Sequence, residues 1–314
     1  MSSSLTYLRP EVAALKKKVD LFVEQEVIPC EAEYHSHMKD RHGADRWTMD
    51  AIPPCLSRLQ ERAQQLGIWN IFLPPRLLSH LPDDYSYSSL APPLALTYRE
   101  YGIMCESLGR SIELAPQACN SSAPDTGNME VLLEFGTPSQ QREYLLPLLQ
   151  GKIRSTFLMT EPAVASSDPT NLETKLTKVM DNNGNISYLL SGRKWWSTGA
   201  MDPRCRVGLC VAKMDYSHPT CPKQQDDQSS QHGAHTIVIV PLPHPNVQMV
   251  RPLTVFGYDD APFGHAEVLL DNVPLTEEHL ILGEGSGFRV SQARLGPGRI
   301  HHCMRAIGTG TYCT

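Results

Sequence analysis

The sequence is short of the features that announce several large protein classes. No apolar run approaches the ~20 residues that a membrane-spanning helix requires; the longest strongly apolar stretch is Thr236–Leu242. There is no basic surplus, because 34 acidic side chains stand against 28 Lys and Arg for a formal net charge of −6. Such a chain lacks the electrostatic footprint of a nucleic-acid binder, which needs a basic face. Its nine cysteines are scattered, with no C-x-x-C pair, so a zinc site or a disulfide framework has no support and reduced thiols in an intracellular protein are expected. The N-terminus, MSSSLTYLRPEVAALKKK, has neither the apolar core of a secretory signal nor a convincing organellar presequence.

Catalytic signatures are equally sparse. No G-x-S-x-G elbow and no G-x-x-x-x-G-K-[ST] loop is present, which leaves serine-hydrolase and P-loop chemistry without an anchor. His35-Ser36-His37 and His301-His302 lack the i, i+4 spacing that sets two imidazoles on one helix face for zinc. What remains is an ordinary folded composition, 41% apolar and 20% charged over 314 residues, long enough for about two domains at roughly 150 residues each.

Periodicity divides the chain. Val12, Leu15, Val19, Phe22 and Val23 form a helical stripe that Pro29 is expected to stop. Leu56, Leu59, Ala63 and Leu66 form a second between Pro53-Pro54 and Gly67. Leu94, Thr97, Tyr101, Met104 and Leu108 form a third. Two more follow over Asn128–Phe135 and Ser139–Leu149, and the Pro-rich stretch Leu73–Pro93 reads as loop. From about residue 152 the pattern turns to strands: Ile153–Met159, Lys175–Met180, Ile186–Ser191, Arg206–Lys213, Thr236–Leu242, Val247–Leu253 and His265–Leu270. Met214–Ala234 reads as a polar loop. A helical pattern resumes after Gly287, and the run Gly308-Thr309-Gly310-Thr311 is expected to end it early. Helices, then strands, then a helix give an α+β class: an N-terminal helical domain over 1–151, a middle antiparallel β domain over 152–282, and the start of a further helical domain over 283–314.

Three segments hold candidate chemistry. GEGSG at 283–287 has G-x-G-x-G spacing with too little chain after it for a dinucleotide-binding βαβ unit; it reads either as a loop opening a helix or as a helix N-terminus touching an anion. FLMTEPAVASSD (157–168) ends a strand in Thr and small residues. That is either a capped turn or a set of hydroxyls and N–H groups suited to a flat polar heterocycle or a phosphate. In GRKWWSTG (192–199), strand alternation sends Trp195 and Trp196 to opposite faces. One is then available as a stacking wall, with a hydroxyl two residues past Trp196 on the same face; core packing is the competing reading.

Together these segments resemble the acyl-CoA dehydrogenase family. FLMTEPAVASSD, SGRKWWSTG (191–199), RPLTVFGYDDAPFGHAEVLLDNVPL (251–275) and GEGSGFRVSQARLGPGRIHHCMRAIG (283–308) carry the likeness in order, from about residue 10 to 308. The resemblance implies a helical domain, a middle β-barrel, and a C-terminal helical bundle that begins here. It also implies FAD as cofactor and α,β-desaturation of a fatty acyl-CoA thioester, in which a base takes the α-proton and flavin N5 takes a hydride. Electron-transferring flavoprotein is the implied electron acceptor, a homo-oligomer the implied assembly, and the mitochondrion the implied location, with the peroxisome as alternative. An oxidase passing electrons to oxygen would share the fold.

By the same resemblance Phe157, Met159, Thr160, Ser166 and Ser167 form a first flavin segment, with Met159 and Thr160 at the isoalloxazine ring and Ser167 also at the CoA arm. Trp196, Ser197 and Thr198 form a second, with the indole on the ring and the Thr198 hydroxyl near N5. Arg299 stands at the substrate-contacting arginine position. Two departures are visible: Gly296 replaces the family's usual aspartate, and the turn after Thr160 is one residue longer. Glu161 and Asp168 correspond to framework positions beside the flavin. The likeness lapses at about Thr309, before the family's catalytic base, so no catalytic residue is assigned, and a shortened, non-catalytic product that at most binds acyl-CoA or a partner is the alternative expectation.

Overall fold

The computed structural model describes residues 8–82, 89–221 and 231–313. Its helices are α1 (Pro10–Phe22), α2 (Glu31–Lys39), α3 (Pro54–Leu66), α4 (Pro75–Leu78), α5 (Tyr98–Leu108), α6 (Ala115–Ala118), α7 (Asp125–Phe135), α8 (Pro138–Gln140), α9 (Leu146–Leu149) and α10 (Gly287–Tyr312). The strands are β1 (Arg154–Leu158), β2 (Lys175–Met180), β3 (Ile186–Thr198), β4 (Cys205–Asp215), β5 (His235–Pro241), β6 (Val247–Leu253), β7 (His265–Leu275) and β8 (Leu280–Ile281). The chain forms two compact units, one of Met1–Glu134 with Leu295–Thr314 and one of Phe135–Arg294. No helix among the described residues is long and apolar enough to cross a membrane.

The first unit is helical. Val12, Leu15, Val19 and Phe22 are the buried face of α1, as their spacing predicts. Pro29 does not stop the run. The helix widens to a π turn over Val23–Val27, tightens to a 3-10 turn over Ile28–Cys30, and continues as α2. This change of winding accommodates a nitrogen that has no hydrogen to donate. α3 closes on Gly67 at φ 68°, a left-handed cap suited to glycine. α5 opens on a capping box in which Thr97 and Glu100 satisfy each other's backbone N–H groups. The stretch read as loop contains the short α4; its residues 83–88 lie outside the described residues, as do 222–230 of the polar loop.

The last helix is a second correction. Gly308-Thr309-Gly310-Thr311 lies within α10 rather than ending it. A Cβ built at Gly308 would collide with the Glu106 carbonyl, and one at Gly109 with the backbone of Arg305. The two glycines let α10 and the end of α5 meet backbone to backbone. Thr309 bridges them, its hydroxyl donating to Gly109 O at 2.8 Å. Packing at this crossing overrides the poor helix propensity of the run.

The second unit holds one eight-stranded sheet in the order β6-β7-β3-β2-β4-β5-β8, with β1 on β4. Five pairings are antiparallel, as the sequence reading expects. β4 is the departure, because β1 and β2 both run parallel to it. They share one edge of β4, β1 pairing along Cys205–Cys210 and β2 along Lys213–Asp215. Leu158, Leu176, Leu190, Cys210, Val238, Val268 and Leu280 belong to a single buried cluster. Strands across the sheet thus supply one core.

Candidate functional site

The site begins where β1 ends. Leu158 faces the core, and it and Thr156 stand close over Gly208. Phe157, on the alternate face, is half-buried beneath the Arg294 guanidinium, whose carbon lies 3.8 Å from the ring centroid. Met159 and Thr160 continue past the strand, half-buried. The Thr160 carbonyl accepts from the Trp195 backbone N–H at 2.9 Å, so the two sequence-predicted segments are hydrogen-bonded to each other.

Beneath them lies a buried charge pair. Lys194 Nζ donates to Glu161 Oε1 at 2.7 Å, to Met159 O at 3.0 Å and to Val211 O at 2.8 Å. Glu161 accepts further bonds from the N–H groups of Glu173 and Thr174. Burial pushes this carboxyl up, but Lys194 and the bonds from Thr174 and Glu173 outweigh it and hold it below the ordinary carboxylate range. Asp168 is committed too, accepting from Thr170 N, Thr170 Oγ1 and Asn171 Nδ2.

The second segment is shaped by a β-bulge. Lys194 pairs with Val268 and Ser197 with Ala266, so Trp195 and Trp196 together stand opposite Glu267. Trp196 takes φ 50° and is 38% exposed, while Trp195 is half-buried. Simple alternation therefore fails here, yet one tryptophan is indeed an open wall. Glu267, nearly fully buried, is bridged by Arg193 and Arg251. Burial raises its carboxyl, and the two guanidinium groups bring it below the ordinary range.

Thr198 lies opposite His265 in the ladder, their Oγ1 and Nδ1 3.0 Å apart. The His265 ring stands 6.1 Å from the Trp196 ring at 60°. Ser197 faces the core beside Ala266, and its buried hydroxyl has no hydrogen-bond partner. Ser166 and Ser167 lie on an exposed turn, and Arg299 is exposed on the part of α10 that belongs to the other unit. The structure thus gathers Phe157, Met159, Thr160, Trp196, Ser197 and Thr198.

Sequence reasoning missed Lys194, His265 and Glu284. Glu284 accepts from Tyr188 at 2.6 Å, Tyr216 at 2.8 Å and Lys178 at 3.0 Å, anchoring the glycine loop ahead of α10. The signal for Lys194 was present: a lysine on the core-facing parity of a strand needs a buried partner. His265 becomes visible only with the β3–β7 register.

These residues fit a flat ring ligand. The Trp196 indole is an open stacking surface, Thr198 presents a hydroxyl beside it, and the adjacent Trp195 Nε1 is buried without a hydrogen-bond partner.

Comparison with known proteins identifies the family. The family model described as acyl-CoA dehydrogenase, middle domain, matches residues 156–273. A Mycobacterium abscessus structure assigned to the acyl-CoA dehydrogenases superposes with a TM-score of 0.80 at 36% identity, covering 97% of this chain and 68% of that one. The fold is therefore that of an acyl-CoA dehydrogenase, with a helical N-terminal region followed by a large sheet. Mouse acyl-CoA dehydrogenase family member 10 is 41% identical over 96% of this chain and 25% of its own length. Chicken member 11 is 42% identical over 98% of this chain and 35% of its own. The chain belongs to the acyl-CoA dehydrogenase family, and it spans about a third or less of the length of these curated relatives.

Proposed function

We propose that this chain is the cofactor- and thioester-binding portion of an FAD-dependent acyl-CoA dehydrogenase of fatty-acid β-oxidation, catalysing α,β-desaturation of a fatty acyl-CoA. The observation that carries the reading is the exposed Trp196 indole with Thr198 beside it, hydrogen-bonded through Trp195 to the strand-end segment at Thr160. Bound FAD would supply the hydride acceptor for the β-carbon.

The chain's own residues supply position. Trp196 stacks on one face of the ring, while Met159 and Thr160 meet its edge. Ser167 offers a hydroxyl to the CoA arm, and by the family resemblance Arg299 is the candidate cation for the same substrate. The ion pair of Lys194 with Glu161 holds the first segment against the second. The α-proton goes to a group other than Glu161 or Asp168, both of which are committed. Electron-transferring flavoprotein is the proposed acceptor and a homo-oligomer the proposed assembly. The mitochondrion is the proposed compartment, with the peroxisome as alternative.

The same two committed carboxylates favour a second reading, in which the site holds FAD and acyl-CoA without turnover. One experiment separates the two. The purified chain is titrated with FAD, its visible spectrum recorded, and a long-chain acyl-CoA added without oxygen. Retained flavin that bleaches supports desaturation. Retained flavin that perturbs without bleaching supports the binding-only reading, and no retained flavin, with Trp196→Leu indistinguishable from wild type, overturns both.

A further inference from the structure

We infer that His265 is a positioning residue of this site: with Asp260 behind it, it fixes the Thr198 hydroxyl as a hydrogen-bond acceptor toward the ring ligand, favouring a ligand that presents an N–H. The inference rests on the FAD reading above and extends it to which redox form the site prefers.

The geometry is a three-member chain within one unit. Thr198 and His265 are direct partners in the β3–β7 ladder, with Oγ1 3.0 Å from Nδ1. On the far side of the ring, Asp260 Oδ2 lies 3.4 Å from His265 Nε2. The main chain of Asp260 is held in a turn at φ 56°, where its carbonyl accepts from Phe263 N at 3.1 Å and Gly264 N at 2.8 Å.

A neutral imidazole carries one N–H and one bare nitrogen. Burial holds His265 below the ordinary imidazole value, which keeps it neutral near pH 7. The carboxylate beside Nε2 draws the single proton there and leaves Nδ1 as an acceptor. The Thr198 hydroxyl, with one hydrogen to give, then gives it to Nδ1. What it presents on the Trp196 side is oxygen lone pairs. Oxidised flavin has a bare N5 that repels such a group, whereas reduced flavin has an N5–H that it accepts. Without His265 the hydroxyl turns freely and donates to the oxidised ring, so the histidine favours the reduced form.

The test is the midpoint potential of FAD bound to the whole chain, measured by spectroelectrochemistry. His265→Phe keeps an aromatic ring beside Trp196 and removes the acceptor. It is expected to lower the reduced-to-oxidised ratio about tenfold at fixed potential, ~30 mV for a two-electron couple. His265→Asn, which sets an amide oxygen near the Nδ1 position, is expected to restore most of that. In a Thr198→Val background, His265→Phe should shift nothing further. An unchanged potential in His265→Phe, or an equal shift with and without the Thr198 hydroxyl, overturns the inference. Nitrogen-15 NMR of the ligand-free chain tests it apart from FAD: a bare Nδ1 and protonated Nε2 are expected, and the opposite tautomer overturns it. A chain with the expected tautomer that binds no FAD overturns the function reading, and with it the flavin preference, while leaving the hydrogen-bond chain itself correct.

Discussion

Lys194 sets its ammonium 2.7 Å from Glu161 where the edge of β4 passes from β1 to β2. Neither strand pairs with Val211, whose carbonyl is taken instead by Lys194 at 2.8 Å. A side chain from β3 thus completes backbone bonding that a strand would otherwise supply. All three ammonium hydrogens are used, on Glu161, Met159 and Val211.

Lys194→Met leaves Glu161 buried without its cation and should cost about 3–5 kcal/mol, read as a lower urea midpoint. Lys194→Met with Glu161→Leu should cost less than the single change, because no orphaned charge remains. A double variant worse than the single would sink this account. Glu161 is held below its unfolded value, so its contribution is present above the unfolded pKa of about 4.3 and lost as pH falls through the folded one.

His301 predicts a different acid sensitivity. It is buried against Tyr101, ring centroids 4.5 Å apart, with no hydrogen-bond partner at Nε2. Burial, aided by the nearby Arg305 and His302, lowers its pKa to about 3. The unfolded chain takes up this proton near pH 6.5 while the folded chain refuses it. Stability should therefore fall as pH drops from about 6.5 toward 3, by ~1.4 kcal/mol per pH decade from this group. His301→Gln should flatten that slope in denaturation curves at pH 7, 6 and 5. An unaltered slope would show that the buried histidine is not the cause.

The glycine crossing gives paired expectations. Gly308→Ala and Gly109→Ala each drive a methyl into backbone of the facing helix and should cost about 1–3 kcal/mol or more. Gly298, with nothing within 4 Å of a built Cβ, sits in the same helix. Gly298→Ala should stabilise the chain by up to ~1 kcal/mol. Melting temperatures of the three variants decide the matter, and a uniform gain would mean that the helices do not meet as described.

Glu284→Gln replaces an anion bonded to two phenols and an ammonium. The change should cost about 1–3 kcal/mol and loosen the glycine loop locally. Hydrogen exchange at the Gly285 amide, which donates to Thr236 Oγ1 at 2.9 Å, should accelerate ahead of global unfolding. Equal acceleration throughout the sheet would argue against a local anchor.

Much of this was legible in the sequence because it depends on near neighbours. The stripes from Val12 to Phe22 and from Leu56 to Ala63 are short-range patterns, and each helix is where its pattern puts it. The motif resemblance singled out the two segments of the candidate site, and the structure joins them by the Trp195–Thr160 bond. What could not be read depends on distant partners. Pro29 and the Gly308 run look like breakers until a π turn and an opposing glycine are in view. His265 and Lys194 gain meaning only when the ladder places them beside Thr198 and the β1 exit.

The bulge at Trp195 and Trp196 means that the open wall is the strand's surplus residue. The register of Lys194 on Val268 and of Ser197 on Ala266 needs only one residue between them, and β3 has two. Were the pair to spread into two regular steps, every later side chain would change sides, sending Thr198 inward and Ser197 out. Deleting one tryptophan would instead close the ladder with both neighbours still in place. The outward aim of the Thr198 hydroxyl is thus decided by how many residues share a single step, and a length change here would leave strand pairing intact while removing the surface beside it.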